Sequence, residues 1–415
     1  MIWLALAGAL FLIWFILVFL FTPAIGYHAR TRVALDAPGF LRMLQSTVQA
    51  MPHESNQIEV LTNGTHFYPA MLDAINAATK TITYECYIFN SGKTTARFID
   101  ALCERAANGV AVSMVLDAIG SAGSHADAER LRRAGVRVEF YQPLRWYSLA
   151  RYNNRTHREL LVIDGRVAFI GGAGVADWWT GDDGGAAWRD TMVRVEGPVV
   201  AALQGVLAEN WLECCGEIIT GDEYFPPLEP AGPILAFVVK SSPADRATAS
   251  RVTFQLLIEG ARRDVQINTP YFLPDKALRK SMIASVQRGV RMSIVVPGAG
   301  TDQRWVRLAS RRTFKDLLAA GVRIFEYQPS MMHCKMLIVD DDWAVVGTTN
   351  VDNRSFEHND EVNLAVRDER VIARLRADHE RDVSECREVT LEGWKRRPLW
   401  EKMLTPVIWI LERQQ

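Results

Sequence analysis

One polar pattern occurs twice in this 415-residue chain, and the repeat constrains the fold more than any other feature of the sequence. Residues 333–340 read H-x-K-x-x-x-x-D, and residues 347–350 follow with G-x-x-N. Residues 157–164 and 171–174 form an imperfect copy, in which the His, the Asp and the first Gly keep the same spacing. Internal duplication of this kind predicts two related structural halves.

The segments around the two copies show the same order of predicted elements. Runs of β-branched and aromatic residues alternate with segments of helical periodicity. Helices are predicted at 72–78, 96–107, 126–133, 254–261, 275–288 and 305–318, and strands at 81–89, 110–116, 265–271 and 292–296. Alternation at these lengths predicts an α/β fold in which each half is a β-sheet flanked by helices.

The composition divides the chain into six parts. We expect an N-terminal anchor at 1–29, a connecting region at 30–57, a first half at 58–220, a linker at 221–243, a second half at 244–392 and a basic amphipathic tail at 393–415. The Pro and Gly content of 221–243 is typical of a linker. The tail has apolar residues at helical spacing, so it either lies in a membrane interface or docks against the protein body.

The N-terminal segment predicts a membrane-spanning helix. Residues 1–29 contain no charged side chain, and 2–25 are almost wholly apolar, which is enough to cross a hydrocarbon core of about 30 Å. No basic residues precede this run, so we expect an uncleaved anchor instead of a signal peptide. Arg30, Arg32 and Arg42 follow it, which predicts an inner (plasma) membrane protein with a cytoplasmic body. A buried helix is the alternative.

Charge and cysteine content narrow the class of protein. The net charge is -1, so the electrostatic footprint of a nucleic-acid binder is absent. The six cysteines form no ordered framework, which fits a reduced, cytosol-facing protein.

Residues 144–156 are an insertion in the first half, and their Arg and aromatic side chains suit a loop over an anionic or interfacial substrate. An ordinary solvated loop is the alternative.

Side-chain alternation relates the motif residues to one another. On a strand, His333 and Lys335 point to the same face, so an imidazole and an ammonium are aimed together. Asp340 has the opposite parity and lies at a turn, so we expect it to fix the turn and not to orient the imidazole. Asp164 precedes Gly165, which is a hairpin signal.

The repeated pattern resembles the phospholipase D superfamily, in which two H-x-K-x-x-x-x-D motifs form one active site between two related halves. More narrowly, several phrases resemble bacterial cardiolipin synthases, and the resemblance covers nearly everything after residue 57. These phrases lie at residues 188–190, 194–198, 353–356 and 359–363.

The resemblance implies a two-step phosphodiester exchange at one active site. One histidine attacks phosphorus to give a phosphohistidine, the other protonates the leaving alcohol, and the roles then reverse. Lys and Asn hold the non-bridging oxygens. The implied catalytic residues are His157, Asp164, His333, Lys335, Asp340, Asn350 and Glu361, and the implied substrate-binding residues are Arg155, Lys335, Gly347 and Asn350. Neither a cofactor nor a metal is expected.

Two carboxylates are candidates to orient the imidazoles, and two positions depart from the family pattern. Glu361 and Asp190 are the candidate orienting residues, with an ordinary ion pair as the alternative for each.

Glu159 stands where the first motif of the family carries Lys, and Gly174 stands where it carries Asn. An ionised Glu159 would repel a phosphodiester by about 1 kcal/mol at 4 Å in water. Arg155 shares its parity and could pair with it or replace the lost cation.

Three functions remain open from the sequence. The first is an active, membrane-anchored phosphatidyltransferase that takes phosphatidylglycerol and makes cardiolipin at an asymmetric site. The second is a hydrolase or transferase acting on another phosphodiester, in phospholipid or, against the charge argument, in nucleic acid. The third is a catalytically weak, membrane-associated relative. The first is favoured because both histidines are present. The oligomeric state is left open.

Overall fold

The computed structural model describes residues 2–20, 25–144, 153–245, 247–398 and 401–402. The aromatic and basic residues of the predicted insertion from 145 to 152, and the apolar part of the tail from 403 onward, lie outside the described residues. The helices are α1 (Ile2–Leu20), α2 (Pro38–Val48), α3 (Gly64–Ala77), α4 (Lys93–Ala107), α5 (His125–Arg133), α6 (Val199–Cys215), α7 (Ala249–Gly260), α8 (Lys276–Gln287), α9 (Arg304–Ala320), α10 (Asn353–Glu357), α11 (Glu369–Ser384) and α12 (Leu391–Lys395).

The strands follow the predicted alternation with the helices. They are β1 (Pro52–Thr62), β2 (Thr81–Cys86), β3 (Ala111–Asp117), β4 (Arg137–Tyr141), β5 (Arg155–Thr156), β6 (Leu160–Ile163), β7 (Val167–Gly171), β8 (Thr191–Glu196), β9 (Ile234–Ser241), β10 (Asp264–Asn268), β11 (Phe272–Leu273), β12 (Arg291–Pro297), β13 (Arg323–Tyr327), β14 (Met336–Val339), β15 (Trp343–Gly347), β16 (Val351–Asp352), β17 (Asn359–Arg367) and β18 (Cys386–Val389). The predicted α/β class is therefore confirmed.

The sheet topology shows the duplication directly. From one edge the main sheet runs β4-β3-β2-β6-β7-β8-β1, and from the other it runs β13-β12-β10-β14-β15-β17-β9, with β18 added outside β13. The two orders match strand for strand. β1 and β9 pair antiparallel where the halves meet. The internal repeat read from the motifs is thus a repeat of one sheet unit.

Two segments contain more regular structure than the sequence suggested. The predicted linker 221–243 contains all of β9, the strand through which the second half joins the first. The predicted connecting region 30–57 carries α2 and the beginning of β1. Phe40 and Leu44 of α2 are fully buried in the core of the second half. The helix and strands in these segments were not predicted, because the Pro and Gly residues near them are typical of loops.

Helices cover both faces of the sheet. On one face, α3, α4 and α5 pack on the first half, and α2, α7, α8 and α9 pack on the second. On the other face, α6 and α11 lie over a core that draws strands from both halves. Burying both faces explains why the central strands are almost continuously apolar.

The N-terminal helix α1 is apolar and leaves the protein body. Trp3 is 83% exposed, and Phe11 and Trp14 are also exposed. Among the described residues, no helix is long and apolar enough to cross a membrane. The predicted membrane-spanning anchor is therefore not confirmed.

The two motif aspartates occupy equivalent turns. Asp164 and Asp340 have φ values of 51° and 52°. The Asp164 carboxylate accepts hydrogen bonds from the backbone N–H groups of residues 79–81, and the Asp340 carboxylate accepts from those of residues 262–264. Each aspartate thus ties its turn to the start of a neighbouring strand, as the parity argument predicted.

The substitution Asp340→Asn tests this contribution to stability. Asn tolerates the left-handed conformation, but its amide group turns one acceptor into a donor facing a backbone N–H. We expect the free energy of unfolding to fall by about 2–4 kcal/mol in a urea titration, because the hydrogen bonds to the buried carboxylate are lost. The control is Asp341→Asn, whose ion pairs are exposed and should contribute only about 0–1 kcal/mol. Equal losses in both variants would contradict the assignment.

Candidate active site

A cavity of about 390 Å³ opens between the two halves, and both motif histidines line it. The first half contributes His157 and the second contributes His333 with Asn350. The other lining residues are Tyr87, Ile88, Gly120, Trp178, Tyr271, Asp302, Gln303, Val306, Asp352, Arg354 and Asn359. The structure thus brings the two motif copies together at one site.

Each imidazole is held by a carboxylate from the opposite half. Nδ1 of His157 lies 3.0 Å from Oε1 of Glu361, and Nδ1 of His333 lies 2.8 Å from Oδ2 of Asp190. Both carboxylates are fully buried. A carboxylate at Nδ1 favours the neutral tautomer that carries its proton there, which leaves the lone pair of that tautomer on Nε2. In His333 this nitrogen also lies 3.0 Å from Nζ of Lys335.

Asp190 and Glu361 occupy equivalent positions in the two halves. Gly171 pairs with Met192 and Gly347 pairs with Asn363, so each carboxylate lies two residues before the partner of a motif glycine. Asp190 also accepts hydrogen bonds from Trp179 and Thr191, and Glu361 accepts from Thr348 and Asn359. These contacts fix the carboxylates, which in turn fix the imidazoles.

Backbone pairing sets the same crossed arrangement. The N–H of His157 donates to the carbonyl of Asp360 at 2.9 Å, and the N–H of His333 donates to the carbonyl of Arg189 at 2.8 Å. The prediction that His333 and Lys335 lie within a strand was wrong, because β14 begins only at Met336. The segment is extended, but the backbone N–H of His333 bonds to the first half instead of to a neighbouring strand of its own half.

The Asp190–His333–Lys335 cluster favours a neutral imidazole. Burial and the charge of Lys335 lower the pKa of His333, although Asp190 opposes them. Burial raises the pKa of Asp190, but the hydrogen bond with His333 and the charge of Lys335 are among the interactions that outweigh it and leave the pKa below its usual value. Lys335 Nζ donates to the carbonyl of His333 at 2.8 Å and lies within 3.0 Å of its ring nitrogens. Burial lowers the pKa of Lys335.

Of the residues predicted to bind substrate, Asn350 lines the cavity, whereas Gly347 and Arg155 are not among its lining residues. Within the described part of the chain, the buried Oδ1 of Asn350 has no hydrogen-bond partner. Gly347 is packed against β17, where a Cβ would lie 2.4 Å from the carbonyl oxygen of Val362. Arg155 is buried, and its described contacts are with Asp117, Asn154 and Gln142. The described carboxylate partner of Arg155 is therefore Asp117, at 3.5 Å, in place of Glu159.

Glu159 is buried beneath the cavity as a neutral acid. Its Oε1 accepts hydrogen bonds from the backbone N–H groups of Tyr87 and Ile88 at 3.1 and 3.2 Å, and its Oε2 is unpartnered among the described residues. Burial raises the pKa of Glu159 to about 8, although the interaction with the Cys86 thiol, the two backbone hydrogen bonds and the charge of Lys335 oppose the shift. The repulsion expected from an ionised Glu159 is therefore absent at neutral pH, because the protonated carboxyl carries no charge.

Gly174 is linked to Glu159 by close packing. A Cβ at Gly174 would lie 2.3 Å from the carbonyl oxygen of Ile88 and 2.9 Å from Oε1 of Glu159. The segment is also drawn in by a 2.7 Å hydrogen bond from the Val175 N–H to the same carbonyl. An Asn at this position would not fit, so the two departures from the motif occupy one site and belong together.

Several residues of the site were not singled out from the sequence. Arg354 lines the cavity and donates to Asn153 at 2.9 Å, and Tyr271 donates to Asp302 at 2.6 Å. Trp179 and Trp188 place their rings about 5.5 and 5.4 Å from the ring of His333. The phrases at 353–356 and 188–190 were the available signals for Arg354 and Trp188. The rest come from loops whose positions depend on the tertiary fold.

The substitution Glu159→Gln tests the protonation state through stability. A carboxyl whose pKa rises from 4.5 to about 8 on folding stabilises the fold fully below pH 4.5, and the contribution is lost as pH rises to 8. Glutamine does not titrate, so the variant should gain stability relative to wild type by about 1 kcal/mol per pH unit across that window. Urea titrations at several pH values measure this. The exposed control Glu129→Gln should parallel wild type, and a parallel Glu159→Gln curve would refute the assignment.

Comparison with known proteins identifies the family. A model described as "Cardiolipin synthase, PLD-like domain" matches residues 71–203 and 255–383. The chain is 37% identical over 341 residues to "Cardiolipin synthase A" from Pseudomonas aeruginosa, covering 81% of this chain and 69% of that protein. It is 33% identical over 346 residues to "Probable cardiolipin synthase YwiE" from Bacillus subtilis, covering 82% and 69%.

A solved structure shares the fold at much lower identity. The phosphatidylserine synthase of Haemophilus influenzae superposes with a TM-score of 0.67 at 13% identity, covering 90% of this chain and 99% of that chain. This likeness concerns the duplicated architecture alone. Together with the two matched segments and the relatives above, it leads to one conclusion: the chain belongs to the cardiolipin synthase family and is a phosphatidyltransferase of the phospholipase D superfamily.

Proposed function

We propose that this protein is a membrane-associated cardiolipin synthase that transfers a phosphatidyl group to phosphatidylglycerol through a phosphohistidine intermediate. The observation that carries the proposal is the pair of imidazoles, each held at Nδ1 by a buried carboxylate and both lining one cavity. Nε2 of one imidazole can attack phosphorus while Nε2 of the other gives or takes the proton of the alcohol.

His333 is the proposed nucleophile in the first step. Burial and Lys335 favour its neutral form, in which Nε2 keeps the lone pair needed for attack. Nε2 forms a bond to phosphorus, and the bond from phosphorus to the leaving alcohol breaks. The protonated imidazole of His157 gives its proton to that alcohol, which is glycerol when the donor is phosphatidylglycerol.

The second step reverses these roles. His157, now neutral, takes the proton from the terminal hydroxyl of a second phosphatidylglycerol as that oxygen attacks phosphorus. The bond between phosphorus and His333 breaks, which releases cardiolipin and restores both histidines. Water in place of the acceptor would give phosphatidic acid, the product of the alternative hydrolase function.

The phosphate clamp is proposed to come mainly from the second half. Lys335 supplies a cation next to His333. Asn350 lines the cavity together with His333, and its Oδ1 has no hydrogen-bond partner among the described residues. Glu159 stands where the first motif would carry a second lysine, and as a neutral acid it does not repel the phosphate. We therefore propose that Lys335 alone supplies the positive charge that two lysines would supply in a symmetric site.

Membrane association is supported by the character of α1 and by one exposed aromatic residue near the site. α1 exposes Trp3, Phe11 and Trp14, and an apolar helix surface of this kind is stabilised by contact with lipid. Trp305 is 58% exposed and lies next to Val306, which lines the cavity. We propose an inner-membrane protein with an N-terminal anchor and a cytoplasmic body.

A product assay tests the proposed reaction. Purified protein incubated with labelled phosphatidylglycerol in mixed micelles should give cardiolipin and free glycerol. We expect His333→Ala and His157→Ala each to lower the rate by at least about 10³-fold, because nucleophilic and acid–base steps are both removed. The control is Cys386→Ser, because Cys386 is not among the residues that line the cavity. Phosphatidic acid as the main product would favour the hydrolase, and absence of any product would favour the weak relative.

A trapping experiment tests the assignment of the nucleophile. Acid-sensitive, base-stable labelled enzyme should still form when donor is mixed with His157→Gln, slowly because the first step lacks its acid, and it should persist because the second step lacks its base. His333→Gln should accumulate none. Labelling of His333→Gln with loss in His157→Gln would reverse the assignment.

A further inference from the structure

A second cavity, of about 580 Å³, lies where the N-terminal segment meets α7 and α8. Residues 25–29 and Arg32 line one side of it, beginning five positions after α1 ends at Leu20. Glu259 of α7 and Lys276, Lys280 and Arg288 on or next to α8 line the other side. It shares no lining residue with the cavity that contains the histidines.

The N-terminal segment is fixed to the second half at this point. The backbone N–H of Ala29 donates to Oε2 of Glu259 at 3.2 Å. The guanidinium of Arg251 lies 4.3 Å from the ring centroid of Tyr27. Arg251 is 1% exposed and is itself bound to Asp275, so the contact has a rigid base. Both walls of the cavity are therefore fixed to each other, because the N-terminal segment contacts side chains of α7.

Positive charge in this second cavity is in excess. Arg32, Lys276, Lys280 and Arg288 face two carboxylates, Glu259 and Asp275. The carboxylates are already engaged, because Asp275 binds Arg251 and caps α8, and Glu259 accepts from Gln255, Ser281 and Ala29. The cations are therefore not neutralised by the groups around them.

The four cations have few acceptors of their own. Within the described ranges, Arg32, Lys276 and Lys280 make no ion pair. Arg288 donates only to the carbonyl of Glu259 and the hydroxyl of Ser285 there, at 3.0 and 2.9 Å. Arg32 and Arg288 line the same cavity. Burial and the charge of Arg32 lower the pKa of Arg288, although the charge of Glu259 opposes them. Like charges held together in a cavity are stabilised by an anion between them.

We propose that this second cavity binds the phosphate of an anionic membrane phospholipid and holds the protein body against the bilayer at the base of α1. Phosphate suits the cavity because guanidinium and ammonium groups bind its oxygens by charge-assisted hydrogen bonds. A lipid is favoured over free phosphate because an apolar helix with exposed Trp3 and Trp14 precedes the segment that lines the cavity. The inference rests on the proposed membrane association of α1 but not on the proposed chemistry.

The test is hydrogen–deuterium exchange on the full chain in phosphatidylcholine nanodiscs, with and without phosphatidylglycerol. Anionic lipid should slow exchange in peptides covering 25–32 and 275–288. Because each cation near an anionic surface contributes about a factor of five to binding, Arg32→Gln/Lys280→Gln should weaken phosphatidylglycerol binding about thirty-fold. The phosphatidylglycerol fraction that gives half the effect in wild type should therefore give almost none in this double variant. The control Arg42→Gln/Lys315→Gln removes the same charge from exposed positions outside this second cavity and should leave the effect unchanged.

Three outcomes would overturn the proposal. Equal slowing by inorganic phosphate in neutral nanodiscs would replace the lipid by a free anion. No slowing with phosphatidylglycerol, or equal slowing in both double variants, would remove the site. Flotation of wild type with neutral vesicles separates these failures from failure of membrane association, in which the protein would not float at all. Transferase activity of Arg32→Gln/Lys280→Gln in mixed micelles should equal wild type, so loss of the site is distinguishable from loss of the proposed chemistry.

Discussion

The active site depends on one crossed interaction, in which the carboxylate of each half holds the imidazole of the other. Glu361 and Asp190 are both fully buried, so breaking either contact would leave a buried charge without its partner, which costs several kcal/mol. The backbone bonds from His157 and His333 to the opposite half reinforce the same arrangement. Neither half can orient its own imidazole alone, so the duplicated sheet units must meet before the site exists.

The halves that meet are no longer equal. Lys335 remains beside His333, whereas its counterpart Glu159 is turned under the cavity onto the backbone of the 87–88 segment. Gly174 follows from the same packing, since any side chain there would collide with the Ile88 carbonyl. A buried acid without a cation at hydrogen-bonding distance keeps its proton, because ionisation in a dry site costs more than the backbone bonds return. Glu159 therefore adds no negative charge at the position where the family motif carries a lysine.

Much of the fold could be predicted because it depends on local patterns. The alternation of helices and strands and the repeated motif together predicted the two-unit α/β architecture, and the turns at Asp164 and Asp340 followed from side-chain parity. β9 was missed because Pro and Gly flank it and because its partners, β1 and β17, are distant in sequence. The extended segment at His333 was taken for a strand because its alternation is the same, but its hydrogen bonds go to the other half.

By itself, the sequence determined which chemical groups are present, how they are spaced and that the unit is repeated, because these are properties of the covalent chain. Only the tertiary structure decided that Asp190 serves His333 while Glu361 serves His157, since both contacts join residues far apart in the chain. It also decided that Arg155 binds Asp117 and that Glu159 is neutral. A pKa and a hydrogen-bond partner depend on burial and on neighbours from other elements, and a sequence does not contain that information until it is folded.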